Sequence, residues 1–273
     1  MIFDGKQFAR EIADELSHEV STYDTTPSLG VCMVGNNPVS ARYVGLKKRM
    51  ASQVGVEVTV HSLEEDISTE ELLSVLRETI PMHDGYIVQL PLPAHIDTSA
   101  ILNAIPTEKD VDMLSSKTME SFYKNETDLL PPVVGVFAEI IQRNTIELLS
   151  KKVVVVGYGR LVGKPAEHWF KKQGADVTVV DLGDSLEDAA RDADIIALGA
   201  GAPGILKASR VKEGVVVLDA GTSEDEGTLK GDADPAVSEK ASLFTPVPGG
   251  IGPVTVVLLF KNLLTLYSHA REA

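Results

Sequence analysis

Apolar and polar residues along this chain switch repeatedly between a helical and an extended period. Ile12, Leu16 and Val20 recur at helical spacing and mark the buried side of a first helix. Residues 29–34 form an apolar run that predicts a strand, and 41–53 predict a helix after the turn Asn36-Asn37-Pro38. A second strand is expected over 56–61, a helix over 68–79 and a third strand over 86–90. Ser68 followed three residues later by Glu71 is the pattern of a capping box, in which two side chains satisfy backbone N–H groups at a helix start. From 114 to 132 no period stands out, so this stretch reads as the crossing out of a first domain. A connecting helix is expected over about 134–149.

A more regular block begins at 152. Val153, Val154, Val155 and Val156 are an unbroken β-branched run, as in a strand buried on both faces. The turn Gly157-Tyr158-Gly159-Arg160-Leu161-Val162-Gly163 leads into a helix through Lys172, and further strands are expected at 176–180, 195–198 and 215–219. Alternation of strand and helix from end to end predicts an α/β architecture. We expect two domains: a smaller α/β domain over 1–132 plus 253–273, and a Rossmann-like nucleotide domain over 133–252. The last helix, after Pro253, is expected to return to the first domain.

Composition narrows the partners. A net charge of −15 argues against binding a phosphate backbone, so nucleic acid is not expected as a partner, and any anionic ligand must be met by local donors. The single cysteine, Cys32, lies in an apolar run, which fits a reducing, cytoplasmic compartment and excludes a cysteine-built zinc site. The six histidines lack metal-ligand spacing, so no metal is expected. Residues 1–20 alternate acids with apolar positions and lack a secretory core, and no membrane association is expected.

Candidate chemistry gathers at four places. The glycine-rich turn follows a buried strand and opens a helix, the setting in which backbone N–H groups meet a pyrophosphate. Its spacing is G-x-G-x-x-x-G, one residue longer than the common form, and a packing turn that binds nothing fits the same residues. Asp181, 24 residues beyond Gly157, stands where an acid meets ribose hydroxyls and favours NAD; Arg160 would pair with the extra phosphate of NADP. Asp181 also fits a solvated loop acid. Tyr43 and Lys47 project from one helix face, offering a stacking ring and, if burial lowers its pKa, a proton-transferring amine; a solvated lysine is the plain alternative. Gln89 ends an apolar strand at the usual ligand edge of an α/β sheet. Asp110 and Asp112, two apart, would face one way in an extended segment. Finally, Thr245-Pro246-Val247-Pro248-Gly249-Gly250-Ile251-Gly252-Pro253 is a stiff, close-approaching loop with Pro253 where a helix would begin, suited to a flat polar ligand or to a tight crossing turn.

Together these pieces resemble the methylenetetrahydrofolate dehydrogenase/cyclohydrolase family over nearly the whole chain. The resemblance rests on Ile2-Phe3-Asp4-Gly5-Lys6, on Val34-Gly35-Asn36-Asn37-Pro38-Val39-Ser40 leading to Tyr43-Val44-Gly45-Leu46-Lys47, and on Asp84-Gly85-Tyr86-Ile87-Val88-Gln89-Leu90-Pro91-Leu92-Pro93. Lys109-Asp110-Val111-Asp112, Gly231-Asp232-Ala233-Asp234 and the Pro-Gly-Gly-Ile-Gly-Pro loop follow in order. It implies oxidation of 5,10-methylenetetrahydrofolate with a nicotinamide cofactor and hydrolysis of the methenyl product to 10-formyltetrahydrofolate, in a homodimer. It implies Lys47 as the main catalytic group, positioned by Gln89, with Tyr43 stacking on the folate and Asp112 gripping the pterin. Gly249, Gly250, Gly252, Pro253 and Thr255 would line the folate site. Gly157, Tyr158, Gly159, Arg160 and Asp181 would meet the cofactor, with Thr222 near its nicotinamide end. Departures from the family pattern are Met113 in place of a glycine, Pro131-Pro132-Val133-Val134 in place of Pro-Cys-Thr-Pro, Tyr158 in place of an arginine, and Asp181-Leu182 in place of His-Ser. NADP is the expected cofactor, with NAD as the alternative. A dehydrogenase without hydrolase activity and a non-catalytic nucleotide sensor are the competing readings.

Overall fold

The alternating runs resolve into two parallel sheets. A computed structural model describes residues 1–225 and 228–272, so residues 226, 227 and 273 of the expected divisions lie outside the described residues. The chain separates into two compact units, Arg10–Pro132 with Val256–Ala273, and Met1–Ala9 with Val133–Thr255.

In the first of these, α1 (Gly5–Val20), from Arg10 onward, is followed by β1 (Ser28–Val34), α2 (Pro38–Val54), β2 (Glu57–Leu63), α3 (Thr69–Thr79) and β3 (Gly85–Val88). The strands run parallel in the order β2-β1-β3. The middle strand β1 buries Leu29 and Val31 completely, whereas β2 alternates exposed and half-buried positions as an edge strand does. Leu72 and Leu76 of α3 pack with Cys32, Val34, Tyr86 and Val88 into one core. The capping box stands: Ser68 Oγ accepts from Glu71 N and Glu71 Oε2 accepts from Ser68 N. Two short helices, α4 (Thr98–Asn103) and α5 (Ser116–Lys124), complete this part. The second corrects the reading of 114–132 as unpatterned. Only Thr118 and Phe122 of α5 are buried, too few repeats to register, yet Ser115 caps its start and Asn125 ends it in the left-handed conformation at φ 58°.

The second unit begins with α6 (Pro132–Arg143), six residues shorter at its end than expected, and continues with β4 (Lys152–Val156), α7 (Gly163–Lys172), β5 (Asp176–Val180), α8 (Leu186–Ala190), β6 (Ile195–Leu198) and β7 (Val216–Asp219). A small antiparallel pair, β8 (Ser223–Asp225) and β9 (Thr228–Lys230), precedes β10 (Leu243–Phe244). The main sheet is parallel in the order β10-β7-β6-β4-β5, with β4, β6 and β7 buried along their apolar residues. Residues 1–9, expected with 10–132, group here instead. Ile2 bridges Phe244, Phe3 N donates to Phe244 O at 2.9 Å, and Phe3 packs edge-on to Phe8.

The last helix, α9 (Ile251–Glu272), starts two residues before Pro253; its first-turn proline still lacks only an N–H that no helix start can pair internally. From Val256 onward it groups with the first unit, as expected. Among the described residues it is the one helix long and apolar enough to cross a membrane, and 67% of that stretch is buried in the protein. Val257, Phe260 and Leu263 are fully enclosed, as in a core helix.

Candidate functional site

Helix α2 opens at Asn37, whose backbone and side-chain oxygens accept from Ala41 N and Ser40 N. Its buried face carries Ser40, Val44, Lys47, Ala51 and Val54 at helical spacing. Lys47 therefore enters the protein on an otherwise apolar stripe and is only 7% exposed. Its Nζ donates to Gln89 Oε1 at 2.7 Å. Gln89 extends the ladder one residue past β3, its N–H on Cys32 O at 2.8 Å, and its own Nε2 donates to Leu90 O at 2.7 Å. The carboxamide is thus locked with its oxygen toward the amine.

Burial pulls the Lys47 pKa down, and the nearby Asp112 carboxylate pulls it partly back. Asp112 is shifted up, by burial first, with Lys47 opposing and Asp110 reinforcing the shift. The two acids expected to act alike have different tasks. Asp110 is fully buried and accepts from Leu114 N and Ser115 N at 3.2 and 2.8 Å, which folds the turn that carries Asp112. Asn262 of α9 clamps the same segment, donating to Val111 O and Leu130 O at 3.0 Å each. Lys109 is structural too, capping the carbonyls of Ile80 and His83. Tyr43 lies on the Lys47 helix and is 38% exposed.

Two features of this unit were missed in the sequence. Ser40 is 3% exposed, and its Oγ is the buried side-chain polar atom without a partner among the described residues; its place on the α2 stripe beside Lys47 was the available signal. A cavity of about 280 Å³ lies at the ends of β1 and β3, lined by Val34, Asn36, Asn37, Pro91 and Leu92 among others.

The expected cofactor residues stand in the second unit. Gly157 and Asp181 follow β4 and β5 directly at the sheet's carboxyl edge, and Gly157 N donates to Val180 O at 2.8 Å. The glycines are not equivalent. A Cβ on Gly163 would lie 1.9 Å from Gly157 O, and one on Gly157, at φ 83°, 2.6 Å from Ala200 Cα, so both serve close packing. A Cβ on Gly159 would meet nothing within 4 Å. Helix α7 begins without a side-chain cap; Lys164 N donates to Gly159 O at 3.1 Å and Pro165 has no N–H to offer. Arg160 and Asp181 are exposed. Tyr158 is committed elsewhere: its hydroxyl donates to Glu167 Oε2 at 2.5 Å, Glu167 also takes Lys171, and Lys164 lies over the Tyr158 ring. Thr222 is exposed beyond β7.

Beside this edge lies a third unanticipated feature, a pair of buried carboxylates. Asp219, 1% exposed, accepts from Gly221 N, Asp232 N and Ala233 N. Asp232, fully enclosed, accepts from Ala200 N, Gly201 N and Ala202 N at 2.7, 3.1 and 2.7 Å. Burial pushes Asp219 up to about 6 against the pull of its backbone donors, with Asp232 adding to the rise.

The loop 249–255 groups with this second unit. Gly5 N donates to Gly249 O at 3.0 Å, and a Cβ on Gly5 would strike Gly250 O, so the loop and the N-terminal segment fit only as glycine against glycine. Gly249 sits at φ 106°, Gly252 borders open space, and Thr255 Oγ1 bonds back to Ile251 O.

Two family models match the chain: tetrahydrofolate dehydrogenase/cyclohydrolase, catalytic domain, over residues 3–112, and tetrahydrofolate dehydrogenase/cyclohydrolase, NAD(P)-binding domain, over 132–271. The bifunctional protein FolD of Mycoplasmopsis synoviae is 37% identical, with 97% of this chain and 99% of the relative aligned. The crystal structure of the bifunctional methylenetetrahydrofolate dehydrogenase/cyclohydrolase FolD from Campylobacter jejuni superposes with a TM-score of 0.93 at 32% identity, covering 99% of both chains. That of the Trypanosoma brucei enzyme, complexed with NADP and an inhibitor, gives 0.93 at 32% identity over 100% and 99%.

Proposed function

Since the chain belongs to the tetrahydrofolate dehydrogenase/cyclohydrolase family, we propose that it oxidises 5,10-methylenetetrahydrofolate to the 5,10-methenyl compound with a nicotinamide dinucleotide and hydrolyses that product to 10-formyltetrahydrofolate. The observation that carries the reading is the buried Lys47–Gln89 hydrogen bond. A lysine shifted toward the neutral amine can take a proton from water as it attacks the methenyl carbon, then hand it to the ring nitrogen that leaves. Gln89 holds Nζ in place through an oxygen that cannot itself take the proton away. Asp112 serves the pterin edge and sets how readily Lys47 gives up its charge. Tyr43 offers an exposed aromatic face for the folate to stack on. The glycine loop 249–255 supplies further folate contacts.

The second unit suits a dinucleotide. Gly159 leaves room for a phosphate at the start of α7, where the helix dipole favours negative charge. When bound, the nicotinamide accepts the hydride from the one-carbon bridge, the one chemistry that side chains do not supply. NADP is the cofactor in this reading, supported by the family and by the NADP complex of the Trypanosoma brucei relative, with exposed Arg160 as the phosphate's partner. The observation favouring NAD instead is Asp181, an exposed acid at the ribose position, beside a Tyr158 already engaged with Glu167. The protein acts as a homodimer in the cytoplasm; the compartment fits a single, buried, free cysteine whose thiol burial pushes up to about 12.

The test is the initial rate with 5,10-methylenetetrahydrofolate and either dinucleotide, following methenyl absorbance. Turnover in which methenyl product stays absent or transient supports both activities. Methenyl that accumulates and decays only spontaneously leaves a dehydrogenase alone, and no turnover with either dinucleotide refutes the proposal.

A further inference from the structure

Asp232 lies in the segment Gly231-Asp232-Ala233-Asp234, a motif to which the reaction assigns no task. Its two carboxylate oxygens collect three successive backbone N–H groups, from Ala200, Gly201 and Ala202, in the loop that follows β6. No lysine or arginine side chain is hydrogen-bonded to either Asp232 or Asp219 among the described residues; their charges are met by backbone N–H groups. An ionised carboxylate held this way binds its donors more tightly than a neutral acceptor would, and leaves the loop few alternatives.

The consequence for the dinucleotide edge follows from peptide planarity. The N–H of Ala200 and the C=O of Gly199 share one plane and point in opposite directions. With that N–H on Asp232, the Gly199 carbonyl faces the other way, and it lies 2.8 Å from where a Gly157 Cβ would stand. The loop backbone is therefore pressed against the first glycine of the cofactor turn, and Val162, just before α7, packs against Gly199 where a Cβ would stand. Asp219 secures the arrangement from behind. It accepts from Asp232 N and Ala233 N, and through Gly221 N it also fixes the backbone leading to Thr222. The fit is close, since a Cβ on Gly221 would lie 2.2 Å from the Asp232 carboxyl carbon and one on Gly231 would lie 2.3 Å from Asp219 Oδ2.

We propose that Asp232 is a positioning residue for the nicotinamide dinucleotide, its carboxylate setting residues 199–202 as a fixed wall of the dinucleotide site, with Asp219 holding Asp232 in turn. This inference rests on the dinucleotide-dependent function proposed above. Asp232 touches no reacting atom, and its effect is on where the cofactor lies. Lys47, Gln89, Asp112 and Tyr43 group in the other unit, so hydrolysis of methenyltetrahydrofolate supplied directly reports on folding without reporting on the dinucleotide.

The experiment compares the full-length wild type with Asp232→Asn in two assays: fluorescence titration with NADPH and NADH, and hydrolysis of added methenyltetrahydrofolate. An amide keeps one accepting oxygen but sets its NH2 group against at least one of the three N–H donors, which sit on both carboxylate oxygens, so dinucleotide affinity should fall by about tenfold or more. Hydrolysis should stay within about twofold of wild type. Should Asp232→Asn fail to fold, Asp219→Asn leaves the Asp232 carboxylate in place and should weaken dinucleotide binding by a smaller factor, again without loss of hydrolysis. Unchanged dinucleotide affinity in the folded variant overturns the proposal, as does an equal fall in both assays. A wild type that binds neither dinucleotide would instead overturn the cofactor-dependent function itself, and this positioning role with it.

Discussion

Lys47 is set apart from its neighbours Lys48 and Arg49 by a single geometric fact. It occupies the apolar stripe of α2, between Val44 and Ala51, while the other two face solvent. A charge there is costly unless it is partnered, and its partner is a neutral carboxamide, so the amine is driven toward its uncharged form. Lys47→Met keeps the side chain's length and suits the stripe, so we expect it to abolish methenyl hydrolysis while the melting temperature and dinucleotide affinity stay near wild type. Hydrolysis above the uncatalysed rate would remove Lys47 from its role. If the neutral amine is the active form, hydrolysis must rise with pH through the lowered Lys47 pKa. Asp112→Asn removes the one nearby charge that favours the protonated lysine, so the rising limb of the pH–rate profile should move to lower pH. A limb that stays put would separate Asp112 from Lys47. At the cofactor end, Asp181→Ser takes away an exposed carboxylate and should raise NADP use relative to NAD, read as the ratio of kcat/KM values; an unchanged ratio would mean that Asp181 does not face the ribose. Met113 shows how a family departure is accommodated. It stands at φ 54°, which costs a side-chain-bearing residue roughly 1–2 kcal/mol, and its fully buried side chain returns a comparable roughly 1.5–3 kcal/mol.

At the scale of elements, the glycine turn between β4 and α7 separates packing from binding within seven residues. Gly163→Ala drives a methyl into Gly157 O and should lower the melting temperature sharply, whereas Gly159→Ala points into open space and should leave stability unchanged while weakening dinucleotide binding. Equal effects of the two in a thermal scan and a dinucleotide titration would contradict that division. Much of this unit was legible in sequence because strands buried on both faces are written as unbroken apolar runs: β5 and β6 lie at the expected residues and β4 and β7 within one. The capping box of α3 was equally legible, being two side chains at fixed spacing. What escaped notice has a common cause. Helix α5 buries too little to show a period, β8 and β9 are three-residue strands, and Asp219 and Asp232 are held by backbone groups, which leave no complementary residue type in the sequence. For the candidate active site, the residue types were visible and their environment was not, since a lysine reads the same whether solvated or enclosed until the whole α2 stripe is laid out.

At the scale of the whole molecule, the chain passes between its two units after Ala9, after Pro132 and after Thr255. Neither unit is a continuous stretch, so each depends on a segment that sequence distance assigns elsewhere. The first nine residues show it best. Met1 N donates to Ser242 O at 2.8 Å, Met1 O and Phe3 N complete a ladder with Phe244, and Phe3 is 6% exposed with its ring 4.9 Å from that of Phe8. Arg143, from α6, covers the Phe8 ring in turn. An aromatic side chain so enclosed contributes roughly 3–5 kcal/mol when compared with alanine. In a protein of this size that corresponds to a fall of about 10 °C in melting temperature. We therefore expect Phe3→Ala to melt earlier by about that amount, and saturating dinucleotide, which binds only the folded second unit, to recover part of the loss. Scanning calorimetry with and without dinucleotide decides it. A shift that dinucleotide recovers ties the N-terminal segment to the unit that follows it by more than a hundred residues, and an unchanged melting temperature would mean that the segment adds nothing to that unit's stability.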